Sequence, residues 1–214
     1  MKIDFHIHSR YSIDSFTQPK ALAAKSLKLG IFFAITDHNT IAGHKEFKEL
    51  GARFIPGEEI STDKGDLIGL YVNECIPKKT NFSEAVDLIH EQGGIAYLPH
   101  MFDITRHGVG NHPAAKKVDI IEVFNARCMP RAFNEKARLF ADENRLLMGA
   151  GSDSHLLWEF GQTYTELPDF DISKPKELLR AMKKSKIHGV QTSLFYARGP
   201  PVLIKFWKRL TGRG

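Results

Sequence analysis

Cysteine is almost missing from this 214-residue chain. Cys75 and Cys128 are the only two, too few and too far apart for a disulfide framework or a cysteine zinc cluster, and they read as ordinary buried thiols. Long apolar runs are missing as well. No stretch of eighteen or more apolar residues occurs, which excludes a hydrophobic membrane-spanning helix. The opening MKIDFHIHS enters a strand without a signal-peptide core, so a soluble, cytoplasmic protein is expected. No repeat, long linker, low-complexity segment or inserted domain interrupts the chain, and its length predicts one domain around one core.

Acid is missing from residue 198 onward, where Arg198, Lys205, Lys208, Arg209 and Arg213 accumulate. These five account for the whole excess of 30 basic over 25 acidic residues, so the body is formally neutral and the basic total does not argue for nucleic acid. The expected division is a domain over 1–197 and a basic tail over 198–214. Within the tail, Leu203, Phe206, Trp207 and Leu210 fall at helical spacing opposite Lys205, Lys208 and Arg209. Two arrangements stay open. A terminal helix packs its apolar side on the domain, which is preferred, or it offers that side to a membrane surface or a partner.

What is present begins with DFHIHSRYSID, residues 4–14. On an extended strand His6 and His8 share one face while Phe5 and Ile7 take the other. Strands then alternate with helices in the pattern of a parallel sheet. A strand over Ile3 to Ser9 precedes a helix over Pro19 to Leu29 closed by Gly30. IFFAIT is a strand, with a helix near Ile41 to Leu50. ARFIPGEEIS and DLIGLYV are two strands separated by a turn at Lys64-Gly65. A helix over Ser83 to Gln92, the strands GIAYLPH and VDIIEVFN, a helix over Pro130 to Asn144, the strand LLMGAGSDSH and a helix over Pro175 to Lys184 complete the series.

Histidines and acids gather where these strands end: His38 in AITDH, Glu58 and Glu59 late in the third strand, His100 in AYLPH, and Asp153 and His155 in GSDSH. In α/β barrels that rim carries the active site. Imidazole with carboxylate and no thiolate suits Zn²⁺, Mn²⁺ or Fe²⁺ at a reactive centre. More donors than one tetrahedral ion can use imply a cluster, which would clamp phosphoryl oxygens and supply hydroxide near neutral pH.

The segments HIHSRYSIDS, AITDHNTIAG, PGEEIST, LPH and GSDSH, in this order, resemble the motif series of the PHP (polymerase and histidinol phosphatase) family from about residue 3 to about residue 160. The resemblance implies a distorted (β/α)7 TIM-like barrel with two or three divalent metal ions that hydrolyses phosphoesters. Carried over by position, His6, His8, Asp14, His38, Glu59, His100, Asp153 and His155 would be ligands, with Glu59 bridging two ions and Glu58 beside the site or on the surface. Asp66 and Asn125 stand where many members carry ligand histidines. A carboxylate at Asp66 can still bind metal; Asn125 is the poorer donor, which points to two firmly held ions and a weaker third.

Asp37, next to a ligand, either orients a ligand imidazole or caps the following helix. Arg106 offers a fork for phosphate, and Arg127 is a weaker candidate for the same work. The expected reaction is attack of a metal-bridging hydroxide on phosphorus, with Arg106 offsetting charge on the equatorial oxygens and His155 or a bound water protonating the leaving oxygen. The expected substrate is a small phosphomonoester such as a nucleotide or a sugar or amino-alcohol phosphate. The alternatives are a nuclease acting on DNA or RNA ends and a non-catalytic metal-binding module.

Overall fold

The computed structural model describes residues 1–212, with Leu194 and Arg198 in backbone alone. Arg213 of the basic tail therefore lies outside the described residues. Strands β1 (Lys2–Ile7), β2 (Ile31–Ile35), β3 (Phe54–Ser61), β4 (Asp66–Leu70), β5 (Ile95–Leu98), β6 (Ile120–Asn125) and β7 (Leu147–Gly151) neighbour one another in chain order. The sheet nearly closes on itself: Asp153 N donates to His6 O at 2.8 Å, and His8 N donates to Ser154 O at 2.9 Å. A chain that alternates strands and helices therefore builds a nearly closed, barrel-shaped α/β sheet with seven strands around it.

Helices α1 (Pro19–Leu29), α2 (Gly43–Glu49), α3 (Phe82–Glu91) and α4 (Ala132–Asn144) fall on the segments expected to be helical, within three residues at each end. The punctuation is chemical. Pro19 starts α1, and Gly30 ends it with a left-handed backbone whose N–H returns to Leu27 O. The Asn81 side chain accepts from Ser83 N and Glu84 N at the head of α3.

The sheet departs from the expected parallel pattern at β4, which runs antiparallel to both β3 and β5. The reason is the turn at residues 62–65: a four-residue connection can only fold the chain back, whereas a parallel return needs a long crossover. This reversal matters for the site. It puts the first residue of β4, Asp66, opposite Ser61 at the end of β3, on the rim where the parallel strands finish.

Two short strands complete the sheet, β8 (Tyr164–Glu166), antiparallel to β1, and β9 (Lys186–His188) beyond it, with α5 (Pro175–Met182) between them. The core divides into three apolar clusters. One lies around Leu67, Phe82, Ile89, Val123 and Phe140, one around Phe5, Ile55, Ile120, Leu178 and Met182, and one around Leu22, Phe33, Phe47 and Phe160.

The last helix, α6 (Leu194–Thr211), starts within the segment assigned to the domain and runs through the tail. Its orientation corrects the preferred arrangement. Leu203, Phe206, Trp207 and Leu210 are exposed, whereas Lys208 is buried. Lys208 Nζ donates to Arg10 O at 2.7 Å and to Ser12 O, so backbone carbonyls satisfy the ammonium that burial strips of water. Cys75 is corrected too. The residue is exposed, with its thiol turned in to donate to Glu58 Oε1, and only Cys128 is buried.

Candidate metal centre

The strand β1 delivers His6 near its end and His8 just beyond, both fully buried, with their Nε2 atoms 3.1 Å apart. From that pair the remaining candidates close in. Glu59 Oε2 lies 3.4 Å from His6 Nε2, 3.3 Å from His8 Nε2 and 3.0 Å from His38 Nδ1, while Glu59 Oε1 lies 3.0 Å from His100 Nε2. Asp153 Oδ1 lies 3.4 Å from His8 Nε2. Asp14 spans His38 and His155, 3.4 Å from each Nε2. Donor atoms of His8, Asp14, His38 and His155 lie within 4.8 Å of one another. So do those of three further sets: His6, His100 and Asp153; His6, His8 and Glu59; Glu59, Asp66 and His100. All nine candidate ligands are thereby gathered at one rim, with Glu59 shared between sets.

The donor set fits cations on a direct test. Glu59 Oε2, Asp14 Oδ1 and His100 Nδ1 are buried without an aligned hydrogen bond, the two oxygens facing imidazole nitrogens at 3.0 Å and 3.4 Å, and a buried group so poorly paired costs up to about 1–3 kcal/mol. Multivalent cations among these oxygens and imidazoles would remove that cost. Two of the candidate ligands also carry strained backbone. His100 at φ 29° and Asp153 at φ 54° adopt left-handed conformations, each costing on the order of 1–3 kcal/mol and characteristic of ligand clamps.

Electrostatics separate the groups. Burial penalises the carboxylates, but the imidazoles around Glu59 hold it well below the usual range, as His155 and His38 do for Asp14, and as His6 and Arg106 do for Asp153. Burial would lower His6 and His38. The carboxylates of Asp153 and Glu59 outweigh it for His6, and those of Glu59 and Asp14 for His38, so both are held well above the ordinary imidazole value. Burial with neighbouring His155 and His38 drops His8 to about 3, so it is a neutral donor. Burial next to Glu59 raises Asp66 to about 6.

Supporting residues differ from expectation. Asp37 touches no imidazole; its Oδ1 accepts from Ser9 N at 2.6 Å and its Oδ2 from Ser9 Oγ at 2.7 Å, fastening the loop after β1. Ser12 of that loop does the orienting, with Oγ 3.0 Å from His8 Nδ1. Glu58 faces away, accepting from Ile76 N at 2.9 Å and from the Cys75 thiol, and is buried rather than a surface group. Arg106 reaches the site but is already engaged: it donates to Asp153 Oδ2, to Asp103 Oδ2 at 3.1 Å and to Asn125 Oδ1 at 3.0 Å. Asn125 Nδ2 donates to Glu122 Oε2 at 2.8 Å, so both ends of this amide serve hydrogen bonds.

The most important residue missed in the sequence is Glu122. Fully buried in β6, it places Oε1 3.1 Å from His6 Nδ1 and accepts from His100 N through Oε2 at 2.8 Å, fixing two candidate ligands at once. A carboxylate inside the apolar run DIIEVF was the available signal. Arg127, read from the sequence as the weaker phosphate candidate, is instead buried, where it donates to His155 Nδ1 and, at 3.1 Å, to Asp153 O. Beside the cluster lies a cavity of about 360 Å³ bordered by Asp14, His38, Asp66, Arg106, His155 and, from α6, Lys205.

A family model for the PHP domain matches residues 4–127, and a model described as PHP-associated matches residues 131–187. The chain belongs to the PHP family. An uncharacterized protein of Methanocaldococcus jannaschii is 39% identical over 186 residues, covering 83% of this chain and 75% of its own length. Among solved structures, a two-domain protein from Bacteroides vulgatus, described as containing a predicted PHP-like metal-dependent phosphoesterase, superposes with a TM-score of 0.70 at 18% identity. That match covers 89% of this chain, which spans 65% of the other's length. PsfC from Pseudomonas syringae superposes over 98% of both chains with a TM-score of 0.67 at 16% identity. At these identities the superpositions establish the fold, the distorted TIM-like barrel of PHP proteins, and the rim cluster occupies the end of that barrel where βα loops meet. Among the described residues, no helix is long and apolar enough to cross a membrane.

Proposed function

We propose that this PHP protein is a metal-dependent hydrolase of small phosphomonoesters. The observation that carries the reading is the buried Glu59 carboxylate, set among His6, His8, His38 and His100 with one oxygen facing three imidazoles and making no aligned hydrogen bond. His6, His8, Asp14, His38, Glu59, Asp66, His100, Asp153 and His155 would hold two or three divalent ions, Mn²⁺, Zn²⁺ or Fe²⁺ by donor type. When bound, such ions polarise phosphoryl oxygens and lower the pKa of a coordinated water toward neutrality.

The remaining work belongs to the chain. Glu122 holds His6 and the His100 backbone, Ser12 holds His8, and Arg127 holds His155, so ligand orientation is set before substrate arrives. Arg106, tied to Asp153, adds a fixed positive charge at the cavity wall, where charge develops on a phosphoryl group. Where its Nε2 is not taken up as a ligand, His155 at the cavity edge would pass a proton to a leaving oxygen. A cavity of about 360 Å³ lies at the small end of ligand sites and supports a nucleotide-sized or smaller ester. The test is release of inorganic phosphate from a generic aryl phosphate and from a phosphomonoester panel, with the chelated protein resupplied with each metal in turn. Turnover restored by a metal is expected. Absence of turnover with Mn²⁺, Zn²⁺, Fe²⁺ and Co²⁺ alike would remove the proposal.

A further inference from the structure

Helix α6 is seated on the domain by a narrow side of small and apolar residues and one cationic residue. Ala197, Ile204 and Lys208 are buried beneath it, Lys208 Nζ is satisfied by Arg10 O and Ser12 O, and Arg127 Nη2 donates to Tyr196 O at 3.0 Å and to Ala197 O. The outer side carries Phe195, Val202, Leu203, Phe206 and Leu210, each between 63% and 73% exposed. At helical spacing these five occupy one continuous arc of about 100°. Aromatic pairs flank the stripe: Trp207 packs edge-on against Phe16 with ring centres 5.3 Å apart, and Tyr196 against Trp158 at 4.5 Å. Large apolar side chains left outside a domain in a single stripe mark a surface that another phase or molecule covers.

The charge around the stripe selects what covers it. Lys205 and Arg209 are exposed along one flank, and no Asp or Glu follows Glu177 in the chain. A second copy of this helix would bring two acid-free, basic faces together, which like-charge repulsion opposes. A bilayer with anionic headgroups meets both features, taking the apolar face into the headgroup and acyl boundary and the cations at the phosphates. We propose that α6 docks the protein on an anionic lipid surface, lying in its plane without crossing it. Val202 belongs both to the stripe and to the wall of the metal-site cavity, as Lys205 belongs to the flank and to that wall. The docked face therefore borders the cavity.

Vesicle co-sedimentation of the full chain tests this directly. With vesicles of phosphatidylcholine containing phosphatidylglycerol the protein is expected to pellet, with at least about tenfold weaker binding to phosphatidylcholine alone or at high salt. Trp207 lies in α6 and Trp158 packs against its Tyr196, so tryptophan emission is expected to shift to the blue on binding. The double variant Phe206→Glu with Leu210→Glu, at exposed positions, is expected to reduce binding at least about tenfold with an unchanged thermal midpoint. Lys205→Glu with Arg209→Glu is expected to remove the preference for the anionic lipid. Equal pelleting of wild type and the Phe206/Leu210 variant, or no pelleting of wild type, would overturn the proposal. So would light scattering that finds a wild-type dimer turned monomeric by that variant, since the stripe would then be an interface between copies.

Discussion

Glu59 and Glu122 are both buried carboxylates beside His6, yet they face opposite problems. Glu122 is satisfied, by His6 Nδ1, His100 N and Asn125 Nδ2, whereas Glu59 Oε2 makes no aligned hydrogen bond and faces only imidazole nitrogens. Glu122→Gln is therefore expected to leave a folded protein whose metal affinity or activity falls by ~10–100-fold, the cost usual for a group that orients a ligand. Glu59→Gln, which removes a donor shared between sets, is expected to lose more than that and to come off the column with metal missing by elemental analysis. Equal, modest losses in the two variants would count against a bridging role for Glu59. Asp4 poses a separate question of protons. Fully buried, with Oδ2 unpartnered, it is pushed up from 3.8 to about 7 by burial. The folded chain thus holds this proton more tightly than the unfolded chain does. The resulting stabilisation is complete below pH about 4 and is lost as pH rises through about 7. In metal-free protein, Asp4→Asn is expected to remove that component, so its thermal midpoint should fall less than wild type between about pH 5 and about pH 8.

Elements whose ends carry strong local chemistry were readable from the chain: Pro19 and Gly30 around α1, and the Lys64-Gly65 turn between β3 and β4. The direction of β4 followed from that same turn but was outweighed by the general alternation of strands and helices. β8 and β9 have three residues each, too few to show a period. The convergence of His6, His8, His38, His100, Asp153 and His155 was legible because strand ends in such a barrel share a rim. Glu122 was not, because within a strand covered on both faces an acid reads as an interruption. Helix α6 was misoriented because amphipathic patterns are read with the apolar side inward, and only the fold reveals carbonyls placed to receive Lys208. The seam where β7 returns to β1 leaves little room. A Cβ on Gly151 would stand 2.2 Å from Glu122 Oε1 and 2.4 Å from His6 Cβ. Gly151→Ala is accordingly expected to cost ~1–3 kcal/mol of stability and to lower metal occupancy together with it. Retained metal at wild-type stability in an unfolding titration would show that the seam can relax.

At the scale of the whole molecule, the barrel's apolar clusters surround a rim that is costly to fold without cations. Asp14, Glu59 and Asp153 are held ionised in burial, and in metal-free protein His6 and His38 carry protons that partly offset them. Because those imidazoles lie above their usual value, the stabilisation from their protons is complete below about pH 6.5 and is lost as pH rises through their folded values. Metal binding must displace the same protons, so protons and metal compete for one set of nitrogens. The metal-free protein should weaken toward alkaline pH, where the metal-bound form gains most. At a free metal concentration about 100 times its dissociation constant, binding adds ~2.7 kcal/mol, or about 5–10 °C in Tm for a chain of this length. Calorimetry of chelated protein with and without Mn²⁺ is expected to give a Tm increase of that order, larger at about pH 8 than at about pH 6, with protons released on binding. A metal-induced shift that is zero, or that shrinks as pH rises, would mean that the rim nitrogens are not where the ions go.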